Sequence, residues 1–322
     1  MVEKLHTSMK GTQMETMIKI EGLKKRFGGF SAVDGLNFDI FKNEVFGLLG
    51  PNGAGKTTTI NMICGLLPSS EGKITFGSQQ GKDRKSFIGY CPQENIFYPR
   101  LTCLEQLLFM GQMYGLASSA VKARSIELLN LLGLADKTNV RANTLSGGMK
   151  RRLNICLALI HNPEVLVLDE PEAGLDPQSR ILVRDFIKAL GKEKTVILTT
   201  HNMDEADRLA DRVAIIDHGK LLLLDTPQNL KRTVGEGDIL ELVTENSTEI
   251  AMMQFAKNIA SFSMDVKIND ESVLIKHSNI IEQLPAIKNL AEKNGLTISE
   301  LRLRENTLED VFIHLTGRNL RQ

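Results

Sequence analysis

Apolar residues come along this chain in two rhythms. Val45-Phe46-Gly47-Leu48-Leu49 and Val165-Leu166-Val167-Leu168 are short apolar runs, the pattern of strands buried on both faces of a parallel sheet. Ile60, Ile63 and Leu67 instead recur at helical spacing until Pro68, and Leu153, Cys156, Leu157 and Ile160 mark one face of another helix. Leu104, Leu107, Leu108 and Met110 add a third apolar helical stretch. Met17-Ile18-Lys19-Ile20 reads as the first strand, so the polar residues 1–16 are expected to form an N-terminal extension.

The rhythm changes at Gly235-Glu236-Gly237, after a hairpin around His218-Gly219, and a second domain is expected over 235–322. Ile239 to Val243 predicts a strand and Ile250 to Ala256 a helix. Val266 to Ile268 and Val273 to Ile275 predict two strands joined by an Asn-Asp turn. Pro285 is read as opening a helix through Leu290, Leu296 to Leu303 alternates as a strand, and Leu308, Val311, Phe312 and Leu315 face one side of a final helix. That order predicts a small ferredoxin-like α+β module.

The chemistry begins where the first apolar run ends. Gly50-Pro51-Asn52-Gly53-Ala54-Gly55-Lys56-Thr57 fills every fixed position of the Walker A phosphate loop, and Thr58 follows. The pattern needs glycines whose backbone N–H groups can turn toward phosphate oxygens, a lysine that reaches the β- and γ-phosphates, and a hydroxyl for Mg²⁺. A strand enters the loop and a helix leaves it, which separates a nucleotide site from a glycine-rich turn in another fold.

Two further segments carry candidate chemistry. Ser146-Gly147-Gly148 stands before the amphipathic stretch of Leu153, at a helix N-terminus where unpaired N–H groups favour an anion. Read alone it is a serine cap with a glycine lead-in. Asp169-Glu170-Pro171 ends the second apolar run, at the strand end where open α/β sheets bind ligands. Asp169 fits the support of Mg²⁺, and Glu170 can polarise an attacking water as a general base.

With these residues in place, the chain resembles the ATP-binding cassette (ABC) ATPases over about the first 230 residues. The fold this implies is an α/β P-loop NTPase at 17–234, with a helical subdomain at about 93–160, followed by the C-terminal accessory domain. Gln93 resembles the Q-loop glutamine, Asp176 in Gly174-Leu175-Asp176 the D-loop, His201 the switch histidine and Phe27 the aromatic A-loop residue. Singly, such residues are most often core or surface; their order along the chain carries the resemblance. It implies two cassettes paired head to tail on two ATP molecules, with Ser146 and Gly148 contacting the γ-phosphate held by the opposite subunit. Phe27 would stack on adenine, Gln93 would touch the metal and water region, His201 would hold the γ-phosphate and Asp176 would couple the two sites. Met149 and Glu172 depart from the commonest pattern, in which Gln and a small hydroxyl residue are frequent. Met149 followed by Lys150-Arg151-Arg152 is similar to the exporter branch that includes daunorubicin-resistance and sodium-extrusion ATPases.

Composition narrows the partners. The 322 residues are 42% hydrophobic, and 39 Lys and Arg balance 39 Asp and Glu, so no strong field for nucleic acid or a membrane surface is implied and no nucleic-acid partner is expected. The Lys150-Arg151-Arg152 run is read as a solvated helix face near phosphate. No apolar run approaches the length of a spanning helix, so separate transmembrane permease subunits are expected, with 95–99 among the candidates for receiving them. The start lacks the apolar core of a signal peptide, and Cys64, Cys91, Cys103 and Cys156 show no Cys-x-x-Cys spacing, so a cytoplasmic subunit at the inner face of the membrane is expected. The reading is an ATP- and Mg²⁺-dependent transport ATPase, expected as a homodimer. The competing class is a soluble ABC ATPase acting as a conformational clamp in DNA repair or translation. Relatives of that kind resemble two cassettes in one chain or a cassette split by a long coiled coil, and neither pattern is present. A purely regulatory nucleotide-binding module is disfavoured by the presence of both Glu170 and Ser146.

Overall fold

A computed structural model describes residues 15–233, 238–245, 248–260, 265–268, 272–277 and 280–317. Most of the expected N-terminal extension, the Gly235 boundary segment and the Asn269-Asp270 turn lie outside the described residues. The chain divides into two compact units, Met1–Thr226 and Pro227–Gln322. The division falls before the expected Gly235, because helix Pro227–Thr233, which buries Leu230, packs with the chain's last helix and so goes with the second unit.

Among its described residues the first unit holds nine strands: β1 (Thr16–Phe27), β2 (Phe30–Phe41), β3 (Val45–Leu49), β4 (Glu71–Phe76), β5 (Ile88–Cys91), β6 (Val165–Asp169), β7 (Thr195–Thr200), β8 (Arg212–Asp217) and β9 (Lys220–Asp225). Its α-helices are α1 (Lys56–Ile63), α2 (Arg84–Phe87), α3 (Cys103–Met113), α4 (Ser118–Leu131), α5 (Gly147–Leu159), α6 (Pro177–Gly191) and α7 (Met203–Leu209). One sheet has the order β5-β6-β7-β3-β8-β9, parallel except for the β8–β9 hairpin. A smaller antiparallel sheet has the order β2-β1-β4.

Every residue of β3, β6 and β7 is buried, which is why these strands read as continuous apolar runs. Side chains alternate between two cores. Leu166, Leu168, Val196 and Leu198 pack with residues of α3, α4 and α5. Val165, Val167, Ile197, Phe46 and Leu48 pack instead with β1, β2 and α1. The parallel register aligns the C-terminal ends of β3, β6 and β7, and the candidate residues at 50–57, 169–170 and 200–201 follow those ends. Helix α1 stops short of the expected Leu67: Cys64 caps it, and Gly65 takes a φ of 74° that ends the helical path. Leu67 still packs against the core from the following turn.

The second unit comprises α8 (Pro227–Thr233), β10 (Asp238–Glu245), α9 (Glu249–Ala260), β11 (Asp265–Ile268), β12 (Ser272–His277), α10 (Ile280–Lys293), β13 (Thr297–Arg304) and α11 (Leu308–Thr316). From β10 to β13 the order is β-α-β-β-α-β, in an antiparallel sheet ordered β11-β12-β10-β13, the split βαβ arrangement. Leu240, Leu242, Phe255, Val273 and Ile275 are central to its core. Pro285 does not open α10 but lies inside it. The helix starts earlier because Ile280, Ile287 and Ala291 are buried together, and that burial outweighs the backbone hydrogen bond the proline removes.

Candidate functional site

The loop after β3 is shaped for an anion before any side chain is considered. Gly55 has a φ of 101°, and a Cβ there would lie 2.4 Å from the Ala32 carbonyl oxygen, so the position requires glycine. Gly55 is also the N-cap of α1 and supplies no side-chain cap. The first N–H groups of the helix therefore point out of its N-terminus as donors at the positive end of its dipole. Lys56 is buried, and its Nζ donates to the carbonyls of Gly50 at 2.8 Å and Pro51 at 3.1 Å. Burial pulls the Lys56 ammonium below its usual pKa, against the opposing pull of Glu170 and Asp169.

The acids at the end of β6 converge on this lysine. Thr57 Oγ1 donates to Asp169 Oδ2 at 3.1 Å, and Thr199 from neighbouring β7 donates to the other carboxylate oxygen. Glu170 Oε1 lies 3.9 Å from Lys56 Nζ and 2.8 Å from His201 Nδ1, while Gln93 Nε2 donates to Glu170 Oε2 at 3.2 Å. Glu170, Gln93, His201, Lys56, Thr57 and Asp169 thus form one constellation drawn from four separate segments of the chain. The backbone of Glu170 has a φ of 50°, a left-handed conformation uncommon for a non-glycine residue and typical of sites where strain aims a side chain. Its N–H is held by the Thr199 carbonyl and hydroxyl, both at 3.1 Å.

Ser146, Gly147, Gly148 and Asp176 form a second cluster. Ser146 caps α5 by accepting from the Met149 N–H at 3.2 Å, and Asp176 caps α6 by accepting from the Ser179 N–H at 3.0 Å. These bonds from Ser179 hold the Asp176 carboxyl below its usual range. A Cβ on Gly148 would stand 2.5 Å from Ser179 Oγ and 3.1 Å from Asp176 Oδ2, so the two helix starts adjoin. Among the described residues no hydrogen bond or ion pair joins this cluster to the Lys56 constellation. Phe27 also stands apart, at the end of β1, half exposed with Lys25 Nζ 5.2 Å from its ring. The Met149 side chain, in place of an amide, packs against the core.

The charged triplet after Met149 corrects the sequence reading. Arg151 and Arg152 are 3% and 9% exposed, not a solvated face. Arg152 Nη1 donates to the carbonyls of Leu132 and Gly133 at the end of α4, at 2.9 and 3.2 Å; Lys150 lies over the Phe97 ring at 5.7 Å. Guanidinium groups serve buried carbonyls that the helices leave without donors, a need that local sequence does not display. Glu172 likewise gains a structural account. It is buried and bidentate with Arg184 on α6, at 3.0 and 2.9 Å, so its charge beside Glu170 is neutralised. Sequence reasoning also passed over Glu205, buried and hydrogen-bonded by the Thr200 hydroxyl next to His201; burial pushes its carboxyl up to about 7. Its only linear signal was its position in the helix after His201.

The phosphate-loop lysine thus faces a Glu170-His201-Gln93 group, and similarity to known proteins names the family. The ABC transporter family profile matches residues 33–173. The linearmycin resistance ATP-binding protein of Bacillus subtilis is 39% identical over 95% of this chain and 100% of its own length. The chain belongs to the ATP-binding subunits of ABC transporters. A second relative, a Nod factor export ATP-binding protein of Rhizobium sp. (strain N33), is 38% identical over 94% of this chain and 98% of its own. Among solved structures, an ATP-binding cassette dimer in a post-hydrolysis state with ADP and Pi superposes with a TM-score of 0.59 at 26% identity, covering 65% of this chain and 98% of that one. This ABC subunit is accordingly an ATPase of the transport class. No described helix is long and apolar enough to cross a membrane.

Proposed function

We propose that this ABC ATPase drives export through separate membrane subunits by head-to-tail pairing with a second ATPase subunit, expected as an identical copy, at the cytoplasmic face. One observation carries the reading: the water-activating candidate Glu170 meets Lys56, Gln93 and His201 within one chain, whereas Ser146 and Gly148 lie in a separate cluster. A partner that brings its own Ser146 to the phosphate would complete each site. Phosphoryl transfer depends on positioned charge more than on covalent help, so dividing the donors makes hydrolysis wait for closure. Two relatives that match nearly the whole chain are named for resistance and for export, and nothing comparable favours a clamp in another complex.

In this reading Phe27 stacks on adenine, while Gly53, Gly55, Lys56, Thr57 and Thr58 hold the phosphates. His201 holds the γ-phosphate and Asp176 couples the two sites. Glu170 accepts the proton of the attacking water, with Gln93 fixing the carboxylate. Thr57, Asp169 and, through Oε1, Gln93 can each offer an oxygen, with Thr57 and Asp169 already 3.1 Å apart, a set that fits Mg²⁺, which takes few protein ligands and keeps water and phosphate oxygens. Bound there, Mg²⁺ would offset phosphate charge. The exposed Ile96 and Tyr98 beyond Gln93 are the surface proposed to receive the membrane subunits, and the C-terminal unit is proposed to support pairing or regulation.

Glu170→Gln tests the reading. The shape is nearly kept and the proton acceptor lost, so steady-state turnover falls roughly 10²- to 10⁴-fold while ATP binding persists. Size analysis then finds an ATP-dependent dimer, assembled with the membrane subunits if the pair needs them. Wild-type turnover in the variant would assign the base elsewhere, and ATP-bound monomers in the full complex would end the shared-site reading.

A further inference from the structure

We infer that Arg151 is a positioning residue for hydrolysis, fixing Glu170 and Gln93 relative to each other and tying both to the helix that begins at Ser146. The inference rests on the proposed role of Glu170.

A guanidinium offers five donors in a planar fork and no acceptor. That of Arg151, almost wholly buried, spends its donors on carbonyls alone. Nη2 donates to the Asp169 carbonyl and Nε to that of Pro171 at 3.4 Å; Nη1 donates to the Pro92 carbonyl and to that of Gln93 at 3.3 Å. The carbonyls immediately before and after Glu170 are therefore held by the group that also holds the backbone of Gln93. Glu170 needs such restraint, because its left-handed φ of 50° is a sparsely populated conformation that persists only where the surroundings over-determine it. The Gln93 to Glu170 side-chain bond of 3.2 Å then spans two backbones anchored on one cation. The orientation of the carboxylate toward water follows from that shared anchor.

The anchor lies on α5, whose N-cap is Ser146. Five residues along a helix is roughly 7.5 Å of rise, so the capping serine and the guanidinium move as parts of one rigid element. Asn154 of α5 makes a further tie, accepting from the Ile96 N–H at 2.9 Å just beyond Gln93. A displacement of α5 that follows engagement of Ser146 by the opposite subunit's phosphate is thereby delivered to Glu170 and Gln93 of the same chain. The planar fork is essential to this work: among the described residues Arg151 serves carbonyls and pairs with no carboxylate, and a lysine ammonium of the same charge is a point donor that cannot span the same carbonyls.

The test uses the full chain, assembled with membrane subunits if turnover requires them, as wild type, Arg151→Lys, Arg151→Gln, Glu170→Gln and Arg151→Lys/Glu170→Gln. Misplacing a catalytic group by about 1 Å can cost 10²-fold, so kcat is expected to fall roughly 10- to 100-fold in Arg151→Lys and at least as far in Arg151→Gln. ATP affinity stays within about twofold, because the Lys56 loop is untouched. Since Arg151 acts through Glu170, Arg151→Lys adds little further loss in the Glu170→Gln background. Three results would overturn the inference: turnover near wild type in Arg151→Lys, parallel losses of ATP affinity and melting temperature that mark general support, or full additivity in the double variant. Undiminished turnover in Glu170→Gln alone is the separate signature that the proposed base is wrong.

Discussion

The two units bury different things. The first encloses Lys56, Arg151, Asp169, Glu170, Glu172 and Glu205, and these gather around the ends of β6 and β7. Among the described residues of the second, the buried polar side chains are Thr244, Ser272 and Asn306, all uncharged. Its charges pair near the surface, as Arg302 and Glu300 do at 2.6 Å with both side chains about half exposed. Taking charge out of water costs several kcal/mol per ion unless partners and hydrogen bonds compensate. A fold that accepts that cost repeatedly at one point marks that point as the first candidate for chemistry. Among its described residues the second unit has an apolar core and carries its charge near the surface, in keeping with the supporting role proposed for it.

The sharpest way to break this contrast is Lys56→Ala. Removing the buried phosphate-loop cation should weaken ATP binding by at least 100-fold, about 2.7 kcal/mol or more, while far-UV circular dichroism and melting show a folded chain. Nucleotide titration run beside melting checks it, and unchanged affinity would remove Lys56 from the site. Phe255→Ala probes the other side. Phe255 is fully buried in the second core, so truncation should destabilise that unit by about 3–5 kcal/mol and leave ATP affinity intact. Calorimetry with and without nucleotide would follow both; loss of ATP binding at a temperature where the first unit remains folded would make the second a contributor to the site.

The smallest effect concerns Glu205. Its carboxyl is pushed up by burial to about 7 from an ordinary 4.5, so the folded state binds this proton more tightly than the unfolded one. The resulting stability is present in full below about pH 4.5 and is lost as pH rises through about 7. Glu205→Gln removes that dependence. The melting temperature of the variant minus that of wild type should therefore increase by a few degrees between pH 5.5 and pH 8. A difference that stays constant across that range would show that Glu205 is not the titrating group.

What the sequence by itself determined was local and repetitive. Continuous apolar runs marked β3 and β6, because strands covered on both faces exclude polar residues, and the glycines of 50–55 marked a backbone that must approach an anion. The motif order along the chain disclosed the family. Other features were beyond a linear reading, because they depend on residues far apart in sequence meeting in space. Lys150-Arg151-Arg152 reads as a solvated run, yet Arg151 reaches carbonyls near residues 92 and 170, and Arg152 those of Leu132 and Gly133. Glu172 reads as surplus charge until Arg184 arrives on α6. Pro285 reads as a helix start because proline is favoured there, but distant core residues fixed Ile280 in the helix before it. Propensity and pattern are properties of neighbours along the chain. The pairing of a buried charge with its acceptors, and the energy that allows a proline inside a helix, exist only once the chain has packed.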